Sequence, residues 1–288
     1  FASFFTGSSA NSKIMAFTLK PKGSSFSLEK EVDLVGGIVP TGMAFAPNGS
    51  LFINDWKDSY DKKTEGRIWV LDVKDQKHPL RLKTQRILAQ GMSNQSIPQL
   101  IEWLSFGDQR IRLAAQFELV RQKKSKDLLA LAKNKKANLL GRLHSIWGLG
   151  QLGRKDYHLM KNMLPLLADP SAQVRAQTAK ILGEASYKPS LISLRKLIFD
   201  KDAQVKARAI EALGKVGTKN ELPLLVKLLA ETKENDPHLR HTIIYALSKI
   251  KAEKEIIQLF NHPSEFVRVG GVVALRMLKS PGITAFLD

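Results

Sequence analysis

Two short stretches carry side chains able to grip a ligand. In the first, Asp55-Trp56 ends an apolar run and opens a polar stretch from Lys57 to Gly66. A carboxylate and an indole at a strand end can hold a polar ligand. They can equally serve the strand itself, the Asp accepting backbone hydrogen bonds and the Trp covering an edge. In the second, Arg142, His144 and Trp147 share one segment, and the last two are three residues apart, on one side of any helix. This is the best binding candidate in the C-terminal part, but a buried, hydrogen-bonded structural pair is the simpler account. At both places the structural account is favoured.

Other constellations fall away on inspection. Gly148-Leu-Gly-Gln-Leu-Gly153 fits the spacing of a dinucleotide fingerprint, but such a loop needs a strand before it and a helix after it, and here it ends a helix that begins near Asn138. His238 and His241 can meet on a helix face, yet no carboxylate constellation accompanies them as further metal ligands. Asn48-Gly-Ser and Asn94-Gln-Ser match the glycosylation sequon, the first better explained as a tight turn. No Ser–His–Asp set, carboxylate pair or phosphate loop stands out. With no Cys in 288 residues, disulfides, thiolate metal sites and covalent haem attachment are excluded from this chain. The expectation is no catalytic residue, no metal and no cofactor here.

The elements that position these residues fall into two parts. Residues 1–95 hold 13 basic and 9 acidic side chains, and residues 96–288 hold 32 and 18, so most of the +18 charge lies in the second part. At 43% apolar residues the chain can bury a core, and no apolar run reaches the ~18 residues of a membrane span. Strands are expected at Ile14–Leu19, Phe26–Leu28, Gly42–Ala46, Leu51–Asp55 and Arg67–Leu71, with Asn48-Gly49 as a hairpin turn. In the last strand Ile68 and Val70 point one way, Trp69 and Leu71 the other. Such a sheet needs cover on both faces, as a β-propeller blade has. The domain reading is therefore 1–80 as a small antiparallel blade, 81–95 as a linker and 96–288 as helical.

The second part repeats. Arg112, Arg142, Arg175, Lys206, Arg240 and Arg268 recur at spacings of 28 to 34 residues. Four residues before each stands Asp108, Asn138, Ser171, Asp202, Asp236 or Ser264, all types that cap helix N-termini. Shorter apolar helices fall between, at Ile97–Leu104, Leu128–Ala132, Leu159–Leu167, Leu191–Phe199, Leu222–Leu229 and Ile256–Phe260. The pattern Asp-x-x-Val-Arg/Lys-x-x-Ala-x-x-x-Leu-Gly at 171–183 and 202–214, with Ser171 in place of Asp and Thr178 in place of Ala, resembles HEAT repeats. The fold class expected is mainly α: a HEAT/armadillo-like α-solenoid of about six repeats after a small β segment. In HEAT repeats this Asp and Arg usually tie neighbours together.

Residues 41–56 followed by Gly-Arg-Ile-Trp at 66–69 resemble the last blade of a sugar-dehydrogenase-like propeller, and residues 107–119 and 142–152 resemble the repeats that follow it. Together they are similar to the propeller–HEAT–cytochrome proteins of planctomycetes and verrucomicrobia. The resemblance implies a piece of a longer, periplasmic or exported protein, beginning at Phe1 without a leader and ending at Asp288 inside a further repeat. It implies haem c in a C-terminal domain outside this chain, and the rest of the propeller and that haem domain as partners. The segment itself is expected to be a non-catalytic scaffold, with a possible protein partner on the solenoid and the dehydrogenase chemistry elsewhere in the parent. The other reading is a free-standing basic HEAT-repeat protein that binds nucleic acid or acidic proteins. Few aromatics and an excess of Lys over Arg make nucleic acid the weaker partner.

Overall fold

A computed structural model describes residues 13–56, 66–74, 77–232 and 236–286; residues 57–65 after Trp56 and the terminal residues Phe1 and Asp288 lie outside that description. The chain divides into two compact units, one of residues 1–21, 26–95 and 107–111, the other of 22–25, 96–106 and 112–288.

Five strands build the first unit. β1 (Lys13–Lys22) pairs with β2 (Ser25–Gly36), and β3 (Pro40–Phe45), β4 (Leu51–Trp56) and β5 (Gly66–Leu71) form an antiparallel meander. The Asn48-Gly49 hairpin is present. Gly49 takes φ +89°, open to a residue without Cβ, and its N–H donates to the Ala46 carbonyl at 2.8 Å, while the Asn48 side chain accepts from Ser50 N at 3.1 Å. Ile14, Ile38 and Ile53 form the core, with Val35, Leu51 and Leu71 against them. Alternation along β4 puts Ile53 on this buried face and Phe52 on the other. Phe52 pairs with Val70 and Asn54 with Ile68, so these apolar side chains share the second face. That face is open: Phe52, Ile68 and Val70 are 40%, 68% and 55% exposed.

The connecting stretch 81–95 is largely helical. α1 (Pro79–Gln90) starts where Pro79 presets φ and the His78 ring accepts from Leu80 N at 3.3 Å, and it stops at Gly91, φ +71°. Thr84 and Ile87 give it a buried side, which outweighs its polar ends.

The second unit is a stack of helical pairs, an α-solenoid. The short members are α2 (Ile97–Trp103), α4 (Ser125–Lys133), a 3-10 segment at Tyr157–Ala168, α7 (Leu191–Leu197), α9 (Leu222–Glu231) and α11 (Glu253–Ile257). Their longer companions are α3 (Gln109–Arg121), α5 (Leu139–Gly153), α6 (Ala172–Glu184), α8 (Ala203–Val216), α10 (Pro237–Ile250) and α12 (Glu265–Leu278). The third short member is 3-10 and contains Pro165, which has no N–H to give. The expected caps appear: Asn138 accepts from Leu140 N, Ser171 from Val174 N, Asp202 from Gln204 and Val205 N, and Asp236 from Leu239 N. Ser264 sits at the N-cap of α12 without a side-chain bond.

Val205, Ala209, Ala212, Leu213 and Val216 make the buried stripe of α8. The long helices approach through small residues. A Cβ on Gly183 would lie 2.6 Å from the Cα of Ala212, and one on Gly214 would lie 2.5 Å from the Cα of Ala246. Both obstacles are backbone, so neither can step aside. Gly183→Ala and Gly214→Ala should each destabilise the chain by about 1–3 kcal/mol despite alanine's better helix propensity, read as a lower urea midpoint.

Candidate functional site

Three of the recurring basic residues close the turn before their own helices. Arg112 Nη1 donates to the Phe106 carbonyl at 2.7 Å, Arg175 Nη1 to the Asp169 carbonyl at 2.8 Å, and Arg268 Nη1 to the His262 carbonyl at 2.8 Å. In each case the acceptor lies six residues back. A guanidinium has donors to spare, so it binds a second group as well. Arg175 takes the Asp200 carboxylate through Nε at 2.7 Å and Nη2 at 2.8 Å. Arg142, buried, takes Asp169 through Nη2 at 2.5 Å and Nη1 at 3.3 Å, and its Nε bonds the Ala132 carbonyl at 3.0 Å. The partner carboxylates are thus Asp169 and Asp200, not the cap residues. Each stands two residues before a cap and receives its backbone N–H: Ser171 N to Asp169 and Asp202 N to Asp200, both at 2.9 Å. Their signal in the sequence was the Asp-x-Ser and Asp-x-Asp spacing, easily read as loop polarity.

Burial works against the charge on Asp200, but its bonds to Arg175 and Asp202 N hold its carboxyl below the ordinary value. The Asp200 carboxylate likewise raises the Arg175 guanidinium. The ladder changes character further along. Arg240 lies over the Phe266 ring at 4.7 Å, and Arg195 on a short helix grips buried Glu221 through Nε at 2.7 Å and Nη2 at 2.9 Å.

His144 and Trp147 lie two and five residues along α5 from Arg142. Arg112 Nε donates to His144 Nε2 at 3.1 Å, so the imidazole proton sits on Nδ1 and is donated to Gln116 Oε1 at 2.8 Å. Both ring nitrogens are occupied, leaving no lone pair for a metal or a substrate proton. Burial, then the Arg112 charge, push the His144 pKa down to about 4. Trp147 meets the ring edge-on at 4.8 Å and donates Nε1–H to Gln177 Oε1 on α6 at 2.9 Å. Arg142, His144 and Trp147 are therefore tied into three successive repeats.

Asp55 and Trp56 end β4. Asp55 is buried and accepts from Val39 N at 2.8 Å, from Trp69 Nε1 at 2.9 Å and from Arg67 at 3.1 Å. Burial opposes its ionisation, but the Trp69 and Val39 bonds and the Arg67 charge hold its carboxyl below the usual value. Trp56 pairs across the sheet with Gly66 and is partly exposed. Residues 57–65 beyond it lie outside the described residues.

In the first unit a groove of about 490 Å³ is lined by Pro47, Leu80, Arg81, Thr84 and Arg110 among others. Its cations are matched: Arg81 meets Asp72 at 2.6 Å and Arg110 meets Asp108 at 2.8 Å. Among the described residues no group of three or more His, Asp or Glu is placed to hold a metal, and no helix is long and apolar enough to cross a membrane. His238 and His241 are both exposed at the start of α10. Lys123 and Lys124, then Lys135 and Lys136, fall in the turns flanking α4.

The family model for HEAT repeats matches residues 160–248. Among solved structures, the Escherichia coli protein YibA is similar at 18% identity, over 68% of this chain and 75% of that one, with a TM-score of 0.46. An engineered protein is similar at 16% identity over 64% and 96%, TM-score 0.42. So is the CpcE–CpcF complex of phycocyanin lyase from Nostoc sp., at 16% identity over 67% and 93%, TM-score 0.35. A comparison with curated protein sequences gave no match. With the family match and the paired helices, the fold is a mostly helical HEAT-like solenoid preceded by a small antiparallel sheet.

Two outcomes follow from these geometries. Arg142→Met leaves the Asp169 carboxylate buried without its guanidinium and should cost about 3–5 kcal/mol in urea unfolding; R142M/D169N should recover much of that, because Asn still accepts from Ser171 N. His144 is neutral in the fold and titrates near 6.5 unfolded, so its contribution is full above pH 6.5 and is lost as pH falls toward 4. At most about 3 kcal/mol is involved, and His144→Gln should flatten that part of the stability–pH curve.

Proposed function

We propose that this chain is a non-catalytic scaffold and interaction segment of a larger, exported propeller–HEAT–haem protein. The HEAT-like solenoid supports the scaffold role, since such arrays present long continuous surfaces to other proteins. The single observation that carries the parent architecture is the open apolar face of Phe52, Ile68 and Val70 on the β3–β4–β5 sheet. A three-stranded sheet with one greasy face in water is marginal alone, and a neighbouring propeller blade is the cover that fits it. In this reading the dehydrogenase chemistry and haem c belong to other domains of the parent, placed in the periplasm or outside the cell.

The test is hydroxyl-radical footprinting of Phe52, Ile68 and Val70. In this chain alone they should be modified readily; in the parent protein, expressed with its flanking sequence, protection should be several-fold. Equal modification in both sinks the propeller assignment. The second reading, a free-standing basic solenoid for nucleic acid or acidic proteins, is favoured by the excess of 32 basic over 18 acidic residues in 96–288. A DNA mobility shift that weakens steeply with salt would favour it.

A further inference from the structure

The last long helix, α12, has one side open to solvent. Val269 is 52% exposed there and Val272 is half-buried. On α5, α6 and α8 the residue that follows the recurring basic one, as Val269 follows Arg268, is Leu143, Ala176 or Ala207, and all three are buried. (His241 on α10 is exposed.) In α5, α6, α8 and α10 this side takes the next long helix. Each carries a small residue eight positions after its basic one: Gly150, Gly183, Gly214 and Ser248. At Gly183 and Gly214 even a Cβ would run into the backbone of the following helix. α12 carries Arg276 at that position. A helix laid on α12 at the same spacing would meet the Arg276 side chain, so this side is not shaped for another repeat of the same kind.

Its pattern fits a copy of itself. Glu265, Val269, Val272 and Arg276 follow one another at intervals of four, three and four, a single stripe along a helix of 14 residues. Glu265 and Arg276 are exposed, and neither has an ion-pair partner among the described residues. Separated by about 16 Å along the axis, they cannot reach each other within one chain. Against a second α12 running antiparallel, the stripe is its own complement. Glu265 then faces Arg276 at each end, and Val269 faces Val272 twice between them. A two-fold axis requires this reciprocity. A parallel pair would instead set Glu265 on Glu265 and Arg276 on Arg276. We propose that two copies of this chain associate through α12, antiparallel, about a two-fold axis passing between Val269 and Val272. The inference goes beyond the scaffold role and does not depend on the propeller assignment.

The test follows the whole 288-residue chain by sedimentation velocity over a concentration series. Physiological salt is used, since it screens the +18 charge of each copy beyond about 8 Å. One helix pair is small beside the ~1,200–2,000 Å² of stable interfaces, so a monomer–dimer equilibrium with a dissociation constant of about 1–100 µM is expected. Glu265→Arg sets like charges opposite each other at both ends, and so does Arg276→Glu; each weakens the dimer about tenfold or more. Mixed in equal amounts, these two variants pair with each other about as tightly as wild type, because every charge again meets its opposite. Val269→Lys abolishes pairing. The substituted side chains are exposed, so the melting temperature at low concentration holds. Ile68→Lys, on the open sheet face of the first unit, leaves the dimer intact. The proposal is overturned if wild type stays monomeric throughout the series, if the dimer is indifferent to E265R or V269K, or if the mixed variants fail to pair. It is overturned too if Ile68→Lys dissolves a dimer that Val269→Lys leaves whole.

Discussion

The helical unit depends on one arrangement: a guanidinium held in a turn between helices, with donors left over for the next repeat. Arg175 shows it in full, closing its own turn through the Asp169 carbonyl and holding Asp200 by two further bonds. Asp169 in turn holds Arg142, so carboxylate, carbonyl and guanidinium form a line through three repeats. Taking ions out of water is costly, and the geometry offsets that only because each carboxylate also accepts a backbone N–H at the start of a helix. A lysine has its donors on a single nitrogen and cannot spread them this way. No ion pair of Lys206 was found among the described residues, and the line does not continue through it.

Helix spacing is the second constraint, and it acts with the first. Gly183 and Gly214 let backbones come within reach of Ala212 and Ala246, a separation at which any side chain collides with main chain. Close packing makes the repeats rigid enough for buried polar groups to find partners. His144 illustrates the result. Fixed by Arg112 on one side and Gln116 on the other, it is a neutral cross-brace between α3 and α5.

Much of this was legible from residue types. The six spaced basic residues, the caps before them and the small residues after them specified a helical repeat array. Asn48-Gly49 specified a hairpin, because so few residues accept positive φ. Less legible were Asp169 and Asp200. They lie 27 and 25 residues beyond their arginines, and no local rule couples positions so far apart. The helix at 79–90 was hidden by its polar ends.

The sequence alone determined periodicity: which residues repeat, where helices begin, which strand faces are apolar, and that no thiol chemistry belongs to this chain. These are local properties, set by steric limits on the backbone and by side-chain alternation. The tertiary structure decided who meets whom. It turned Arg142, His144 and Trp147 from a candidate ligand site into ties between repeats, and filled the Asp55 carboxylate with strand partners. Those outcomes depend on distances between helices, which only close packing of the whole array sets.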